Sequence, residues 1–545
     1  MNKNTKIDLV ILIIITILFS IISSLLSYMK YMAFNASVYD LGVSSLLIKN
    51  AMEEPVQYQK LIYFIMYPFY YLYPSQTALM AFQDTLLCFS SIPIYFTGRK
   101  IIKKHYYALI ISMLWLIYFP LSGVMWFDFH FMALFPFLFL TAYMFFTYEK
   151  YQYSLIFIFL SAITDYLAPV IIIFFLISLL LKHRKLPKYY YMPVVILFIT
   201  IFAMVNIFEP SYTLAFINIP FLFSHLNIIY SSIGRKIIYI IMILLPVFFI
   251  AAFVPEILMA VPYTLLMFSH DYFPYFQPIL YQYPALIAPA VFISVVAFVG
   301  KYEDKKIYKL NMKRIITVAI ALSIATWFLF TPVGNLISDN NSSISYVNYV
   351  SMGNYNTYNE ISYHKYDSEL NNIIKSIPYG SSVAIQNNMP QLVQYYNYSL
   401  PINNYNASPE YIVDDPYSVW FYNVTISGNT VSSMVNFVNC KICNGYGIVD
   451  SESGIVLLEK NYTGKIKDFV PMDIKAGNNT YINFLSPGEY QFNYNGNGSV
   501  KMITTNGMFN ITMKDGIGYF NTGKYITDFK LIFSGSNIDI RQLSA

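Results

Sequence analysis

Residues 7–28 form a nearly unbroken apolar run with Lys3 and Lys6 just ahead of it. A run of about 20 such residues is enough for a helix to cross the hydrocarbon core of a bilayer once. Lys and Arg collect on the cytoplasmic side, so the basic flank predicts a cytoplasmic N-terminus. A cleaved leader has a shorter apolar core and a small-residue cleavage site; Ser27-Tyr28-Met29-Lys30 offers no such site, and the helix is expected to remain. Further apolar stretches follow, and 57% of the 545 residues are hydrophobic, 19% aromatic and only 12% charged. That is too little charge for an ordinary soluble protein, and it predicts a polytopic membrane protein in contact with the lipid bilayer. The net charge of +5 comes from short basic runs beside apolar segments. Such runs encode topology, and no basic face for nucleic acid is apparent.

Charge placement predicts the path of the chain. A polar outer loop, residues 30–60, carries Tyr39-Asp40-Leu41-Gly42 and Glu53-Glu54. Residues 61–74, short, Tyr-rich and interrupted by Pro68, suit a helix lying in the membrane interface. The span 77–98 ends at Arg99-Lys100-Ile101-Ile102-Lys103-Lys104-His105, which marks the cytoplasmic side. By parity 106–123 returns outward, 126–130 is an outer turn, and 131–148 leads back to Glu149-Lys150. Two short passes, 153–163 and 167–181, then leave Asp165 at an outer apex before the basic residues 182–185. Further spans are expected at 190–207, 237–253, 256–269, 283–300 and 313–331, about 11 in all. Residues 208–234 are expected to hold an outer helix or a re-entrant segment. Arg235 and Lys236, on the outer side, run against the charge rule.

After Pro332 the composition turns to Asn, Ser, Gly and Tyr. The expected fold is therefore an α-helical polytopic membrane domain (1–331) followed by an exterior α/β domain (332–465) and an exterior β-sandwich (466–545). Helix-like 370–377 and strand-like 382–386 and 411–414 predict the α/β unit. From Val470, apolar and polar residues alternate between turn signals at Ser486-Pro487-Gly488, Asn495-Gly496 and Asn506-Gly507. Nine Asn-X-Ser/Thr sequons (Asn340, Asn341, Asn397, Asn406, Asn423, Asn461, Asn478, Asn497, Asn510) follow Pro332, and Asn35 falls in the first outer loop, in agreement with the charge placement. Cys440 and Cys443 form a lone CxxC pair without the further ligands of a zinc site. A local disulfide is the preferred reading, against two free thiols.

Chemistry is expected where carboxylates interrupt apolar sequence, because a charge at bilayer depth costs several kcal/mol. Asp40, Asp128, His130 and Asp165 all fall on the expected outer side, and they are the candidate catalytic residues. Asp40 is the candidate base, or the cap of a short helix beginning at Leu41. Asp128 and His130, two residues apart, suit a shared divalent metal or a phosphate-bearing substrate, or else satisfy backbone groups at the helix start near Phe131. Arg235 and Lys236 are candidates for binding a lipid phosphate. His225, His270 and Asp271 read as solvated loop residues.

At Tyr39-Asp40-Leu41-Gly42, Phe127-Asp128-Phe129-His130 and Thr164-Asp165-Tyr166 the chain resembles the family of polytopic membrane proteins catalogued as domain of unknown function 2079. The resemblance continues through Pro255-Glu256-Ile257-Leu258-Met259-Ala260-Val261-Pro262, Gln282-Tyr283-Pro284-Ala285-Leu286-Ile287-Ala288-Pro289, Ile377-Pro378-Tyr379-Gly380-Ser381-Ser382-Val383-Ala384 and Tyr411-Ile412-Val413-Asp414, about Met1 to Asp415. Family members often carry Glu-Asp where this chain has Thr164-Asp165, and His-Tyr where it has Gln282-Tyr283. The family is similar in layout to the GT-C glycosyltransferases, which take a sugar from a polyprenyl-phosphate carrier and use an acidic residue in the first outer loop; Asp40 matches that placement. The resemblance implies an inverting transfer to an exterior glycan or protein acceptor, with a divalent metal in some members. The alternative is a non-catalytic transporter or a surface-anchored binding protein. Polar groups near the bilayer midplane and inverted repeats would mark a transporter, and neither is evident.

Overall fold

The computed structural model describes residues 3–52, 61–165, 167–182, 190, 192, 196, 231–269, 273–306, 310–338, 361–393, 397–399, 408–415, 438–465, 469–479, 481–496, 498–504, 507–523 and 526–544. His225, His270, Asp271 and most of 190–230 lie outside these residues. The chain divides into two compact units. One holds the N-terminal helix up to Tyr28 and the chain from Leu47 through the last apolar helices; the other holds Met29–Leu46 and the described residues from 361 onward.

α1 (Lys3–Met32) belongs to the first unit up to Tyr28, and the chain re-enters that unit at Leu47, within the short α2 (Val43–Lys49), to continue with α3 (Leu61–Leu72), α4 (Gln76–Phe89) and α5 (Ser91–Ile101). After α6 (His105–Leu116) and α7 (Phe119–Trp126) come α8 (Phe135–Thr147), α9 (Tyr151–Ala162), α10 (Ala168–Lys182), α11 (Ile233–Leu244) and α12 (Val261–Ser269). Then come α13 (Pro284–Tyr302), α14 (Met312–Phe330) and α15 (Pro332–Ser338). Among the described residues four stretches are long and apolar enough to cross a membrane: Lys6–Met32, Gln76–Ile101, Pro284–Tyr302 and Met312–Phe330. The pair α6 and α7, bent by 43°, is a fifth if it counts as one span. Pro120 in the first turn of α7 accounts for the break, since proline cannot donate back to the preceding turn.

The sequence count of 11 rested partly on helices shorter than the ~20 residues a full crossing takes. Among the described residues five apolar helices have only 10–17 residues, and three of them, Phe131–Thr147, Tyr151–Ala162 and Ala168–Leu179, stand where full spans were expected. The expected span 237–253 stops as an α-helix at Leu244, and Phe248 and Phe249 then take positive φ angles of 51° and 56°. The expected span 256–269 begins as a 3-10 helix, Pro255–Ala260.

Helix α13 is the centre of this unit. It is apolar all round and buried along most of its length, as a core helix should be. Trp115 and Tyr118 set edge-on rings against its Phe292 at 4.9 and 5.2 Å. By contrast, α1 exposes Val10, Ile14, Leu18, Ile21 and Leu25. A polar ladder ties it to α4 and α5: Thr16 with Ser91 (2.9 Å), Ser20 with Thr85 (2.8 Å), and Ser27 donating to Asp84 Oδ2 (2.7 Å). Between helices in lipid, such side-chain hydrogen bonds add association where hydrophobicity cannot.

In the second unit, α16 (Lys365–Ser376) precedes a six-stranded sheet that ends on β6 (Phe469–Val470), in the order β2-β1-β3-β5-β4-β6. Its β1 (Ser382–Ala384), β2 (Asn397–Ser399) and β3 (Tyr411–Asp414) are parallel, and β5 (Ile455–Lys460) joins β3 antiparallel, with β4 (Tyr446–Glu452) beyond it. The segment 29–46, expected as a plain loop of the membrane domain, belongs to this unit. Phe34 and Val38 pack with Leu370, Val383, Leu392 and Val393, and Val38 N–H donates to the Asn387 carbonyl at 2.6 Å. Two four-stranded antiparallel sheets close the chain: β7 (Asp473–Gly477), β9 (Gly488–Tyr494), β12 (Ile517–Thr522) and β14 (Asn537–Ser544) in the order β12-β9-β14-β7, and β8 (Tyr481–Leu485), β10 (Val500–Thr504), β11 (Gly507–Ile511) and β13 (Ile526–Ile532) in the order β11-β10-β13-β8. Burial alternates along β14, with Ile538, Ile540 and Gln542 facing in. Gly488 (φ +146°) has the Ser544 carbonyl directly where a Cβ would stand, so only glycine fits that turn. Cys440 and Cys443 carry unbridged, exposed thiols, and the preferred local disulfide is absent.

Candidate functional site

The turn after α7 places two of the sequence candidates. α7 ends at Trp126, and Phe127 to His130 run extended into a 3-10 turn, Phe131–Leu134. One buried amide holds this reversal. Gln83 of α4 donates from Nε2 to the carbonyls of Val124 (3.0 Å) and Phe127 (3.4 Å), while its Oε1 accepts from His130 N–H at 2.8 Å. Asp128 is fully buried, and its carbonyl accepts from His130 Nδ1 at 3.0 Å. A carbonyl only accepts, so Nδ1 carries a proton. The Phe127 ring bridges His130 (5.0 Å) and Tyr281 (5.3 Å). Close approach of the loop before α13 requires Gly123, where a Cβ would stand 2.7 Å from the Ile279 carbonyl.

Asp165 sits in the turn between α9 and α10, half-buried. Its Oδ1 accepts from Leu167 N–H at 2.8 Å, the local bond by which Asp starts a turn. Burial pushes its carboxyl up to about 6, against smaller downward pulls from the Leu167 N–H and the His130 charge. His130 and Asp165 are thus within electrostatic reach of each other. On the other flank, Tyr263 of α12 is fully buried.

Several groups in this unit are buried without a hydrogen-bond partner: the hydroxyls of Tyr239 and Tyr263, both amide atoms of Gln277, and Gln282 Oε1. Native interiors keep few such groups, because each costs ~1–3 kcal/mol. Lys236 borders them. Far from being open to a lipid headgroup, it is fully buried: its Nζ donates to the Phe268 carbonyl at 2.9 Å and lies 5.9 and 5.5 Å from the Phe268 and Phe276 rings. Arg235, one residue before, is exposed. An apolar cavity of about 90 Å3 between α1, α7 and α14, lined by Ser23, Ser27, Leu121, Met125, Trp126 and Trp327, reaches the start of the 127–130 turn.

Asp40 is in the second unit. Ser37, not Asp40, is the N-cap of the turn Val38–Gly42; its Oγ accepts from Asp40 N–H (3.1 Å) and donates to Asp40 Oδ2 (3.0 Å). Tyr39 N–H donates to Asn387 Oδ1 at 3.1 Å, which fastens the turn to the loop after β1.

Sequence reasoning passed over Gln83, Asp84, Tyr263 and Gln277. For the first two a signal was present: an amide and a carboxylate side by side inside the apolar run 77–98. Intramembrane polar residues of that kind are costly unless they have work to do. Tyr263 and Gln277 lie in aromatic-rich stretches where nothing in the sequence sets them apart.

Among the described residues no three His, Cys, Asp or Glu side chains are grouped to hold a metal. Asp128 and His130 alone do not fit a protein-held divalent metal, and the chemistry below takes no step through one.

Residues 57–457, about three-quarters of the chain, match the family described as predicted membrane protein (DUF2079). The chain belongs to this family. Family membership and the apolar helices together place the protein in the membrane, in contact with lipid. The match takes in the Phe127–His130 turn, Asp165, Gln282 and β1 to β3; it begins after Asp40 and ends within β5, so both Asp40 and the sandwich lie outside it. No curated protein matches the chain.

Proposed function

We propose that the protein is a membrane glycosyltransferase that moves a sugar from a polyprenyl-phosphate carrier to a glycan or protein acceptor on the exterior side. The reading keeps the GT-C likeness, an 11-pass layout in which the short helices complete the crossings, and an exterior C-terminal unit. The observation that carries it is Asp165, held in the turn between α9 and α10 within electrostatic reach of His130, in a unit that buries polar groups with no partner in the fold. A carboxyl raised to about 6 is matched to proton transfer near neutral pH.

In the proposed reaction Asp165 takes the proton of the acceptor hydroxyl. The acceptor oxygen bonds to the anomeric carbon from the face opposite the carrier, and the bond from that carbon to the phosphate oxygen breaks, leaving its electron pair on the lipid phosphate. Tyr263 and Gln277 offer donors for that phosphate, and the apolar cavity at Met125 and Trp126 suits the first isoprene units of the carrier. Asp40, the base implied by the GT-C likeness, is the rival for the proton.

The test is transfer from radiolabelled polyprenyl-phosphate sugars by purified protein in detergent. Asp165→Asn is expected to lower turnover ~10²–10⁴-fold, as loss of a general base does, with carrier binding retained. Transfer unchanged in Asp165→Asn but lost in Asp40→Asn would move the base to Asp40. No transfer by the wild type with any carrier sugar would overturn the reading.

A further inference from the structure

The chain has only three cysteines, and two of them stand three residues apart in Cys440-Lys441-Ile442-Cys443. Cys88 is buried in α4, whereas both thiols of the pair are exposed and unbridged. Residues 438–443 are helical, and the Asn444 N–H closes the turn on the Cys440 carbonyl at 3.0 Å. Side chains three or four apart on a helix are neighbours on one face. Cys440 and Cys443 therefore share a face of this turn, and Asn444 Nδ2, donating to Cys440 Sγ at 3.2 Å, holds that sulfur on it.

The spacing decides what the pair can do. Helical neighbours at this separation keep their Cβ atoms ~5–6 Å apart, while a disulfide needs ~3.5–4.5 Å. The helix must open before the two sulfurs can bond to each other. An ion between them removes that obstacle: two thiolate–metal bonds of ~2.3 Å span up to ~4.6 Å, against ~2.05 Å for a sulfur–sulfur bond. Thiolates select soft ions. Zinc would take four ligands, and among the described residues no third His, Cys, Asp or Glu side chain joins the pair. Cu+, soft and singly charged, is satisfied by two thiolates in line.

We propose that Cys440 and Cys443 bind one Cu+ ion as a two-coordinate bis-thiolate. Each thiol gives its proton to solvent and a sulfur electron pair to the ion, so one Cu+ displaces two protons and no electron is transferred. The affinity therefore rises with pH. The pair is exposed on the second unit, and its copper binding is independent of the proposed transfer reaction.

The test uses the full-length protein in detergent, reduced and then handled under argon. Cu+ is supplied as its acetonitrile complex and competed with bicinchoninate, whose copper complex is coloured. One equivalent is expected to pass from bicinchoninate to the protein, and X-ray absorption is expected to show a shell of two sulfurs. Cys440→Ser and Cys443→Ser are each expected to weaken retention ~100-fold or more, beyond the loss from removing a ligand's hydrogen-bond partner. Both thiols are exposed, so the melting temperature stays at the wild-type value and a loss of copper is a loss of ligand. Cys88→Ser retains copper as the wild type does. Equal retention by the wild type and either Cys440→Ser or Cys443→Ser overturns the proposal, as does a wild type that leaves all the copper with bicinchoninate. A shell containing nitrogen or oxygen, or more than two sulfurs, overturns it too, because the ion is then held elsewhere.

Discussion

Replacing Gly123 by alanine tests whether the loop before α13 really lies against α7. A Cβ there would stand 2.7 Å from both the carbonyl carbon and oxygen of Ile279 and 2.9 Å from the Pro278 oxygen. These are backbone atoms, so no side chain can rotate away, and the loop carrying Tyr281 and Gln282 must retreat. Overpacking of this kind costs ~1–3 kcal/mol, and alanine returns ~0.5–1 kcal/mol of helix propensity. The net expectation is a loss of ~1–2 kcal/mol. Gly234 in α11 is the control, because a Cβ there meets nothing within 4 Å. Gly234→Ala is expected to be neutral or stabilising by up to ~1 kcal/mol. Thermal unfolding in detergent, followed by circular dichroism, reads both variants. A Gly123→Ala protein as stable as wild type, alongside a well-behaved Gly234→Ala, would refute the close approach and the placement of Gln282 beside the 127–130 turn.

Gln83→Leu removes three hydrogen bonds at once, and at ~0.5–1.5 kcal/mol for each the expected total is ~2–4 kcal/mol, visible in the same unfolding assay; an unchanged midpoint would show that the turn is held otherwise. For Asp165 the folded carboxyl ionises at about 6 and an unfolded one near 3.9, so between these values the folded state binds more protons. Stability contributed by the neutral acid is therefore full below about pH 4, falls as pH rises to about 6, and stays lower above it. A shift of that size corresponds to ~3 kcal/mol at most, reduced to ~1–2 kcal/mol by partial exposure. Asp165→Asn should remove this slope from a plot of melting temperature against pH; a slope that persists would assign it to another group.

Much of the design was legible in residue order alone. Hydrophobic run length identified a membrane chain, because the free energy of putting about 20 apolar residues into lipid needs no partner to be evaluated. Alternation after Val470 marked the sandwich for the same local reason: side chains two apart share a face of a strand. The candidate site was half legible. Asp128, His130 and Asp165 stood out because charge is rare in such sequence, and the structure brings His130 within reach of Asp165.

What residue order could not carry was every relation that depends on a distant partner. Gln83 reads as one polar residue in a helix until the fold sets it against carbonyls 41 and 44 positions away. Lys236, a candidate for surface phosphate, is turned inward because the Phe268 carbonyl and two aromatic rings receive its charge. Asp40 left the membrane unit for the other because Val38 and Tyr39 found hydrogen bonds at Asn387, more than 300 residues on. Local preference and hydropathy are sums over neighbours in sequence, whereas hydrogen bonds and burial are set by neighbours in space, and only the tertiary structure chooses those.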